Sequence, residues 1–240
     1  MNCKLHTTII KKMSRTVTII GASGLVGSHL LELLLKDPGT EKVIALVRNT
    51  FTHSSPKLEQ QIIDFQEPRA YEPHIAGTEA VFVTVGTTNA KVDGDKDAYR
   101  KVDYNIPVYA AKAAAKHGVY GYYLVSASGA DANNNNNFYF KLKGVTEEAV
   151  CEEQIPQIYI MRPSLILGDR KEKRMMEKAA QVVMPMFSWA FGGNWSKYKP
   201  IQASEIAAAM FRAYTHGKKG IHVCSYEEMK TLTKSINFSN

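Results

Sequence analysis

The chain has 240 residues, of which 45% are hydrophobic and 22% charged, and its formal net charge is +7. This length suits one sizeable α/β domain and is too short for two separate domains of ordinary size. No apolar run is long enough to cross a bilayer. The basic residues are scattered among acids, so we expect neither a membrane protein nor a nucleic-acid-binding protein.

The chain has three cysteines, and they are far apart: Cys3, Cys151 and Cys224. Their odd number and the lack of a CxxC pair argue against a disulfide framework and predict a cytoplasmic protein. The seven histidines show no paired metal-ligand spacing, so we predict no metal site. Residues 1–15 lack the apolar core of a secretion signal and are predicted to be a flexible tail, with Met13 as an alternative start. Residues 16–240 are predicted to form a single domain.

Strand-like and helix-like stretches alternate along the chain. The predicted strands are Val17–Ile20, Lys42–Val47, Glu59–Asp64, Ala80–Val85, Tyr122–Ala127, Gln157–Arg162 and Ile221–Cys224. The predicted helices are Leu25–Lys36, Tyr99–His117, Phe138–Gln154 and Ser204–His216. This alternation predicts an α/β fold with a doubly wound parallel sheet, a Rossmann fold, that has helices on both faces. We expect Pro107 to lie in the first turn of its helix or to kink it, and Asn133–Asn137 to form a loop that ends in a helix N-cap.

The first predicted strand runs directly into "GASGLVG", in which Gly21, Gly24 and Gly27 recur at every third position. Such a turn, at the start of a helix, can bring backbone N–H groups to a pyrophosphate. Because a strand precedes it and a βαβ pattern follows, we favour dinucleotide binding over a plain strand-to-helix turn. The predicted contacts are Gly21, Ala22, Ser23, Gly24, Leu25, Val26 and Gly27.

The second strand ends with Arg48, where NAD-binding proteins carry an acidic residue that holds the ribose 2′-hydroxyl. A guanidinium suits a 2′-phosphate, so we predict NADP in preference to NAD, although an exposed surface arginine is also possible. Asp64 and Phe65 follow the third strand and are predicted to flank adenine. Three residues after the fourth strand are predicted to line the other half of the cofactor: Val85, Gly86 and Thr87.

Ser126 and Ser128 stand at the end of the fifth strand, and Tyr139 and Lys143 lie four residues apart near the start of the next helix. The spacing places Tyr139 and Lys143 on one helix face. A neighbouring ammonium stabilises tyrosinate, so we expect Lys143 to lower the pKa of Tyr139 below its usual value of about 10. Either serine could hydrogen-bond a substrate oxygen.

"GASGLVG", "SASGAD" and "YFKLK", in that order, resemble the short-chain dehydrogenase/reductase superfamily. The short gap before the tyrosine, and "MRPSLILGDR" after the sixth strand, are most similar to its atypical, Tat-interacting-protein-like, epimerase-related branch. The resemblance implies that Tyr139 transfers a proton, that Lys143 binds the nicotinamide ribose, and that a serine polarises the substrate oxygen. It also places four residues beside the nicotinamide: Arg162, Pro163, Ser164 and Ile166. Ala127 separates two serines that many relatives have adjacent, so Ser126 and Ser128 both remain candidates.

These observations predict an NAD(P)-dependent oxidoreductase or epimerase-like enzyme that acts on a small carbonyl or hydroxyl substrate. The alternative is an NADP(H)-binding regulatory or interaction protein with little or no turnover. The substrate side is predicted to come mainly from about residues 164–203, where an aromatic stretch could line a pocket, plug the core or contact a second copy. Asp103 and Tyr104 could be active-site residues, but we favour capping or surface roles for them. The resemblance also implies a possible homodimer formed through two helices packed side by side.

Overall fold

The structure, a computed structural model, describes residues 15–87, 95–168 and 199–234. Its central feature is a parallel sheet of seven strands in the order β3-β2-β1-β4-β5-β6-β9. These strands are β1 (Arg15–Ile20), β2 (Thr40–Val47), β3 (Leu58–Ile62), β4 (Ala80–Val83), β5 (Gly121–Val125), β6 (Gln157–Met161) and β9 (Gly220–Cys224). Two short strands, β7 (Ile166–Leu167) and β8 (Ile201–Gln202), pair separately. The predicted doubly wound parallel sheet is confirmed.

Helices cover both faces of the sheet. They are α1 (Leu25–Lys36), α2 (Glu72–Ile75), α3 (Lys96–Arg100), α4 (Ile106–Lys116), α5 (Phe138–Cys151), α6 (Ala203–His216) and α7 (Tyr226–Lys234). One core lies between the sheet and helices α1 and α6, and the other lies under α2 and α4. All four residues of β4 are buried, as a strand covered on both faces requires. No helix within the described residues is long and apolar enough to span a membrane.

The helix predicted at Tyr99–His117 is divided by a π-helical turn, Lys101–Asn105, which lies between α3 and α4. Pro107 lies in the first turn of α4. Because proline has no N–H, it cannot donate to the carbonyl of Asp103 four residues earlier. The hydroxyl of Thr146 on α5 donates to that carbonyl instead, at 3.0 Å. The missing proline donor lies directly after the irregular turn, and the Thr146 hydroxyl ties that turn to the neighbouring helix.

The remaining differences from the prediction are at element ends and in short elements such as α2, β7 and β8, which were not predicted. The structure ends β3 at Ile62 and β4 at Val83, each two residues before its predicted end. Helix α7 was not predicted. Asn137 does cap α5, because its side-chain oxygen accepts from the N–H of Phe140 at 3.2 Å. Most of the aromatic stretch and of the predicted substrate side lies outside the described residues.

The strand order reverses between β1 and β4, since the chain moves outward to β2 and β3 and then returns to the other side of β1. Connections on the two sides leave in opposite directions, so a crevice opens at the carboxyl ends of these two strands. Ligands of open α/β sheets bind in this crevice. The glycine turn, the β4 loop and the start of α5 all follow carboxyl ends of strands and therefore meet at the same edge.

Candidate functional site

The glycine turn leaves β1 at a backbone conformation that favours glycine. Gly21 has a φ of 93°, and its carbonyl accepts from the N–H of Gly24 at 2.9 Å. A Cβ on Gly27 would overlap that same carbonyl oxygen and would come within 2.6 Å of Thr84 Oγ1. The hydroxyl of Thr84 also donates to the carbonyls of Ile20 and Gly21. Gly21 and Gly27 are therefore needed to close the turn against β4.

Gly24 differs because a Cβ at this position would contact only one atom, the carbonyl oxygen of Gly21. It is the N-cap of α1, with no side-chain hydrogen bond to the first turn, and no acidic residue lies in that turn. The first amides of a helix point outward and carry partial positive charge, which favours an anion. Ala22 and Val26 place their side chains in the core, so only their backbone can contact a ligand. This exposed helix start fits a pyrophosphate.

Two glycine substitutions should separate folding from cofactor binding. A Cβ on Gly24 would meet only the Gly21 carbonyl oxygen, at 3.1 Å, a much milder contact than the overlap at Gly27, so we expect Gly24→Ala to lower the thermal midpoint less than Gly27→Ala does. It should still weaken NADPH binding at least about tenfold, or about 1.4 kcal/mol, because the methyl group occupies the ligand side. Gly27→Ala should lower the thermal midpoint by several degrees. Thermal unfolding measures the stability of the two variants, and fluorescence titration measures their affinity for NADPH. Equal stability losses would contradict the assignment of Gly24 to ligand binding and of Gly27 to folding.

The predicted adenine side is only partly supported. Arg48 is exposed at the end of β2, and Asp64 is exposed beyond β3, so both side chains can reach a ligand at this edge. Phe65 is buried, and its ring packs edge-on against Tyr71 at 5.9 Å between centroids. The ring of Phe65 therefore belongs to the core, and a contact between Phe65 and adenine stays a prediction. Only the backbone of Phe65 can make such a contact.

Asp103 links the β4 loop to the helix that carries the predicted catalytic residues. This fully buried carboxylate accepts from the N–H of Thr87 at 3.0 Å and forms an ion pair with the ammonium of Lys143 at 2.7 Å. Tyr99 adds a second link, since its hydroxyl donates to the carbonyl of Thr87 at 3.1 Å. Val85 packs against the second core, and Gly86 is exposed beside it. The predicted surface role of Asp103 is wrong.

Tyr139 lies one turn before Lys143, and the ammonium of Lys143 is 5.9 Å from the centroid of its ring. The ring of Tyr99 packs against Tyr139 at 5.9 Å between centroids. Burial raises the pKa of Tyr139, Lys143 lowers it and Asp103 raises it, with a net increase. The predicted decrease is wrong, because burial disfavours the phenolate and Asp103 neutralises the ammonium. Burial lowers the pKa of Lys143, but Asp103 and Tyr139 more than offset this.

Ser126 and Arg162 contact the same buried carboxylate. Glu147 accepts from the hydroxyl of Ser126 and forms a bidentate ion pair with the guanidinium of Arg162, whose Nε lies 3.0 Å from both carboxylate oxygens. Glu147 is two turns beyond Tyr139 on α5, about 12 Å along the helix axis. The Ser126 hydroxyl is thus engaged by Glu147 rather than directed at a substrate, which favours Ser128 of the two candidate serines. The guanidinium of Arg162 is engaged in the same way, and a cofactor contact by Arg162 stays a prediction. Both side chains join strand ends to α5.

Ser128 has the properties expected of a substrate-facing serine. Its N–H donates to the carbonyl of Pro163 at 2.9 Å, which extends the pairing of β5 and β6 beyond the strands. Its hydroxyl oxygen is buried, and it has no hydrogen-bond partner among the described residues. A buried polar group without a partner is costly. A ligand oxygen at this position would satisfy it.

The last predicted cofactor contacts lie beyond β6. Pro163 is buried and holds the Ser128 corner through its carbonyl. The hydroxyl of Ser164 donates to the carbonyl of Lys199 at 2.5 Å, and Ile166 packs against the first core from β7. These residues connect the end of β6 to β8, and a ligand contact by any of them remains a prediction.

Two buried carboxylates contact the predicted site residues: Glu147 was missed, and Asp103 was set aside in favour of a capping or surface role, although the sequence contains a signal for both. Tyr99, Asp103 and Ile106 follow the spacing of one helix face, and all three are buried. Glu147 lies four residues after Lys143 on the buried face of α5. An acidic residue on an apolar helical stripe must have a partner in the interior, and that pattern could have identified both.

Comparison with known proteins gives a consistent picture. A family described as NAD(P)H-binding matches residues 21–183. The mitochondrial protein FMP52 of Candida albicans is 31% identical over 239 residues, which cover 91% of this chain and 98% of that protein. The protein HTATIP2 of Rattus norvegicus is 30% identical over 187 residues, or 76% of each chain. The UDP-N-acetylglucosamine 4-epimerase structure from Methanobrevibacter ruminantium covers 92% of this chain and 80% of its own, with 15% identity and a TM-score of 0.68.

These matches confirm the predicted superfamily and correct one prediction. The FMP52 relatives from several fungi are named as mitochondrial proteins, so the cytoplasmic location predicted from the cysteines is wrong. Unpaired cysteines argue against an oxidising compartment, but they do not distinguish one reducing compartment from another. The cysteine pattern therefore cannot distinguish a cytoplasmic location from a mitochondrial one.

Proposed function

The chain belongs to the NAD(P)H-binding family, and from this premise we propose that it is an NAD(P)-dependent oxidoreductase or epimerase-like enzyme. Its substrate would be a small carbonyl or hydroxyl compound. The observation that carries the proposal is the juxtaposition of Tyr139 with the buried Lys143–Asp103 ion pair. A chain that only binds a dinucleotide has no need of a phenol and a buried ammonium at this spacing.

The proposed reaction assigns a role to each side chain. When bound, the nicotinamide cofactor supplies or accepts a hydride. The raised pKa of Tyr139 keeps its phenol protonated near neutral pH, so Tyr139 can donate a proton to a substrate carbonyl oxygen during reduction. Ser128 orients that oxygen through its buried hydroxyl. Lys143 has three N–H donors, so its contact with Asp103 leaves capacity for the ribose hydroxyls of the cofactor.

Asp103 acts as a positioning residue in this scheme. It fixes the ammonium of Lys143 and the backbone of Thr87 at the same time, which connects the cofactor side of the crevice with the proton-transfer side. Glu147 has a comparable role deeper in the domain, where it joins the ends of β5 and β6 to α5. The contacts of Asp103 and Glu147 together fix the position of α5, and therefore of Tyr139, relative to the ends of the strands.

The second candidate is an NADP(H)-binding regulatory protein with little turnover. One observation favours it: Asp103 neutralises Lys143, and the pKa of Tyr139 is raised rather than lowered. Such a phenol is a poor base in the oxidation direction. A screen of wild-type protein with NADPH and a panel of aldehydes and ketones separates the candidates. Turnover supports the enzyme, and tight NADPH binding without turnover supports the regulator.

Arg48 is proposed to select NADP over NAD. Its exposed guanidinium at the end of β2 can bind a 2′-phosphate, whereas a carboxylate there would repel the phosphate and accept from the 2′-hydroxyl. We therefore expect wild-type protein to bind NADPH more tightly than NADH, and Arg48→Asp to reverse the order. Loss of the charged contact should weaken NADPH binding at least about tenfold.

Fluorescence titration with both cofactors measures this preference. Arg69→Asp is the matched control, because Arg69 is also an exposed arginine but lies in the turn before α2 rather than at the end of β2. If Arg48→Asp leaves the ratio of the two affinities as it is in the wild type, Arg48 does not select the cofactor.

The names of the FMP52 relatives support a mitochondrial location, which we also propose. Expression of the tagged full chain, followed by fractionation, tests it. Recovery of the protein outside the mitochondrial fraction would contradict the proposal.

A further inference from the structure

Phe138 lies exposed at the start of α5, directly before the proposed proton donor Tyr139. Within residues 15–87, 95–168 and 199–234 it is one of five large hydrophobic residues that are exposed, and it is the one that adjoins Tyr139. We propose that Phe138 binds an aromatic ring of the substrate, so that the protein selects carbonyl compounds that carry an aryl group. The inference rests on the proposed function and deepens it by naming the substrate class.

Two contacts hold the ring of Phe138 in place. The ring of Tyr99 meets it edge-on, with 6.2 Å between the centroids and an interplanar angle of 84°. The ammonium of Lys96 lies 5.4 Å from the centroid of the same ring, which is within the range of a cation–π interaction. Because the ring is already fixed by these contacts, Phe138 loses little rotamer freedom when a ligand covers it, and a smaller entropy cost opposes binding.

Tyr99 connects Phe138 to the reacting end of the site. Its ring also packs against Tyr139, at 5.9 Å between centroids and an interplanar angle of 64°, and its hydroxyl donates to the carbonyl of Thr87 at 3.1 Å. Tyr99 is buried, so it fixes the two neighbouring rings rather than offering a surface of its own. Phe138 is therefore held at a defined position beside Tyr139, on the more exposed side of the proton donor.

The polar and apolar groups of the site divide a substrate into two ends. In the proposed pose, the buried hydroxyl of Ser128, which has no partner among the described residues, and the phenol of Tyr139 bind the carbonyl oxygen. The substituent on that carbonyl then extends outward past Tyr139 and meets Phe138. Binding sites for small molecules typically combine a few placed polar groups with an apolar wall, and here the described part of that wall is aromatic.

An aromatic substituent gains more from this wall than a saturated group of the same size. Two aromatic rings in offset-stacked or edge-to-face contact attract each other beyond the effect of buried area, which raises affinity by a factor of about 2–12. A flexible alkyl chain also loses rotamer freedom when it is bound, whereas a planar ring has no internal rotation to lose. The site therefore favours an aryl-substituted carbonyl compound over an aliphatic one.

A matched pair of aldehydes tests this selectivity. The compounds 3-phenylpropanal and 3-cyclohexylpropanal differ in the aromaticity of the ring, and in neither is the ring conjugated with the carbonyl. We expect wild-type protein to reduce 3-phenylpropanal with a kcat/KM about 2–12-fold higher. Phe138→Leu keeps an apolar side chain, so it should bring this ratio close to one through a higher KM for 3-phenylpropanal. Its kcat with 3-cyclohexylpropanal and its NADPH affinity should stay close to those of the wild type.

Tyr120→Leu is the matched control for Phe138→Leu. Tyr120 is also an exposed aromatic residue with an ammonium near its ring, that of Lys219 at 5.8 Å. It precedes β5 and so lies at the amino ends of the strands, at the opposite edge of the sheet from the crevice. The control should keep the wild-type preference. Equal use of both aldehydes by the wild type, or a preference that persists in Phe138→Leu, overturns the inference while the proposed enzyme activity stands.

A binding measurement separates the inference from the proposed function. The amides 3-phenylpropanamide and 3-cyclohexylpropanamide carry the same two rings and a carbonyl group that NADPH does not reduce. Calorimetric titration of NADPH-saturated protein should show about 2–12-fold tighter binding of the phenyl amide, and Phe138→Leu should lose this difference. The same preference without aldehyde turnover would contradict the enzyme proposal and retain Phe138 as the ring-binding residue. Equal binding of the two amides, or no binding of either, overturns the inference.

Discussion

Replacing Tyr139 with phenylalanine is expected to reduce turnover with NADPH by about 10²–10⁴-fold, the usual contribution of a general acid. The substitution removes one oxygen atom and keeps the ring contact with Tyr99, so we expect the fold and the NADPH affinity to change little. Such a result would place Tyr139 in the chemical step. Steady-state kinetics with the best carbonyl substrate and a parallel fluorescence titration measure the two quantities.

Tyr104→Phe is the matched control for this experiment. Tyr104 is half-buried, and its ring lies under the guanidinium of Arg100 at 4.1 Å rather than beside Lys143. Its loss should leave turnover close to that of the wild type. If Tyr139→Phe also retains wild-type turnover, another group transfers the proton and the proposed mechanism fails.

Replacing Asp103 with alanine should cost about 3–5 kcal/mol of unfolding free energy, because it leaves the buried ammonium of Lys143 without a counter-charge. For a chain of this size, that loss lowers the thermal midpoint by roughly 6–20 °C. It also removes the acceptor for the N–H of Thr87. In addition, the pKa of Lys143 should fall, because burial lowers it and Asp103 is the main group that offsets burial.

A double-mutant cycle separates the ion pair from general damage to the core. The variant Asp103→Ala/Lys143→Ala should lose less stability than the two single losses added together, because it removes both charges. Asp97→Ala is the control, since Asp97 is exposed in the first turn of α3. Additive losses in the double variant, or equal losses for Asp103→Ala and Asp97→Ala, would show that the ion pair does not stabilise the fold.

The sequence predicted the sheet and the location of the site because both depend on local patterns. The alternation of apolar segments sets the order of strands and helices, and Gly21 and Gly27 mark a turn that closes tightly against the end of β4. Tyr139 and Lys143 share a helix face, so their spacing alone places them together. Each of these inferences uses residues within about two turns of helix or one strand.

The errors arose where two distant segments meet. Asp103 and Lys143 are forty residues apart in the chain, and their contact depends on how α5 packs against the π-helical turn. Lys143 lowers the pKa of Tyr139 as expected, but the burial of Tyr139 and the charge of Asp103, neither of which the spacing reveals, give a net increase. Ser126 was likewise expected to face substrate, because its contact with Glu147 depends on the height of α5 above the strand ends.

The central claim is that amides at the start of α1 hold the diphosphate of a dinucleotide whose nicotinamide lies beside Tyr139. A crystal structure of the chain grown with NADPH tests it most directly. We predict diphosphate density within hydrogen-bonding distance of the N–H groups of Leu25 and Val26, with the hydroxyls of Ser128 and Tyr139 facing the nicotinamide. A cofactor bound away from the glycine turn, or a Tyr139 hydroxyl directed away from the nicotinamide, would contradict the account.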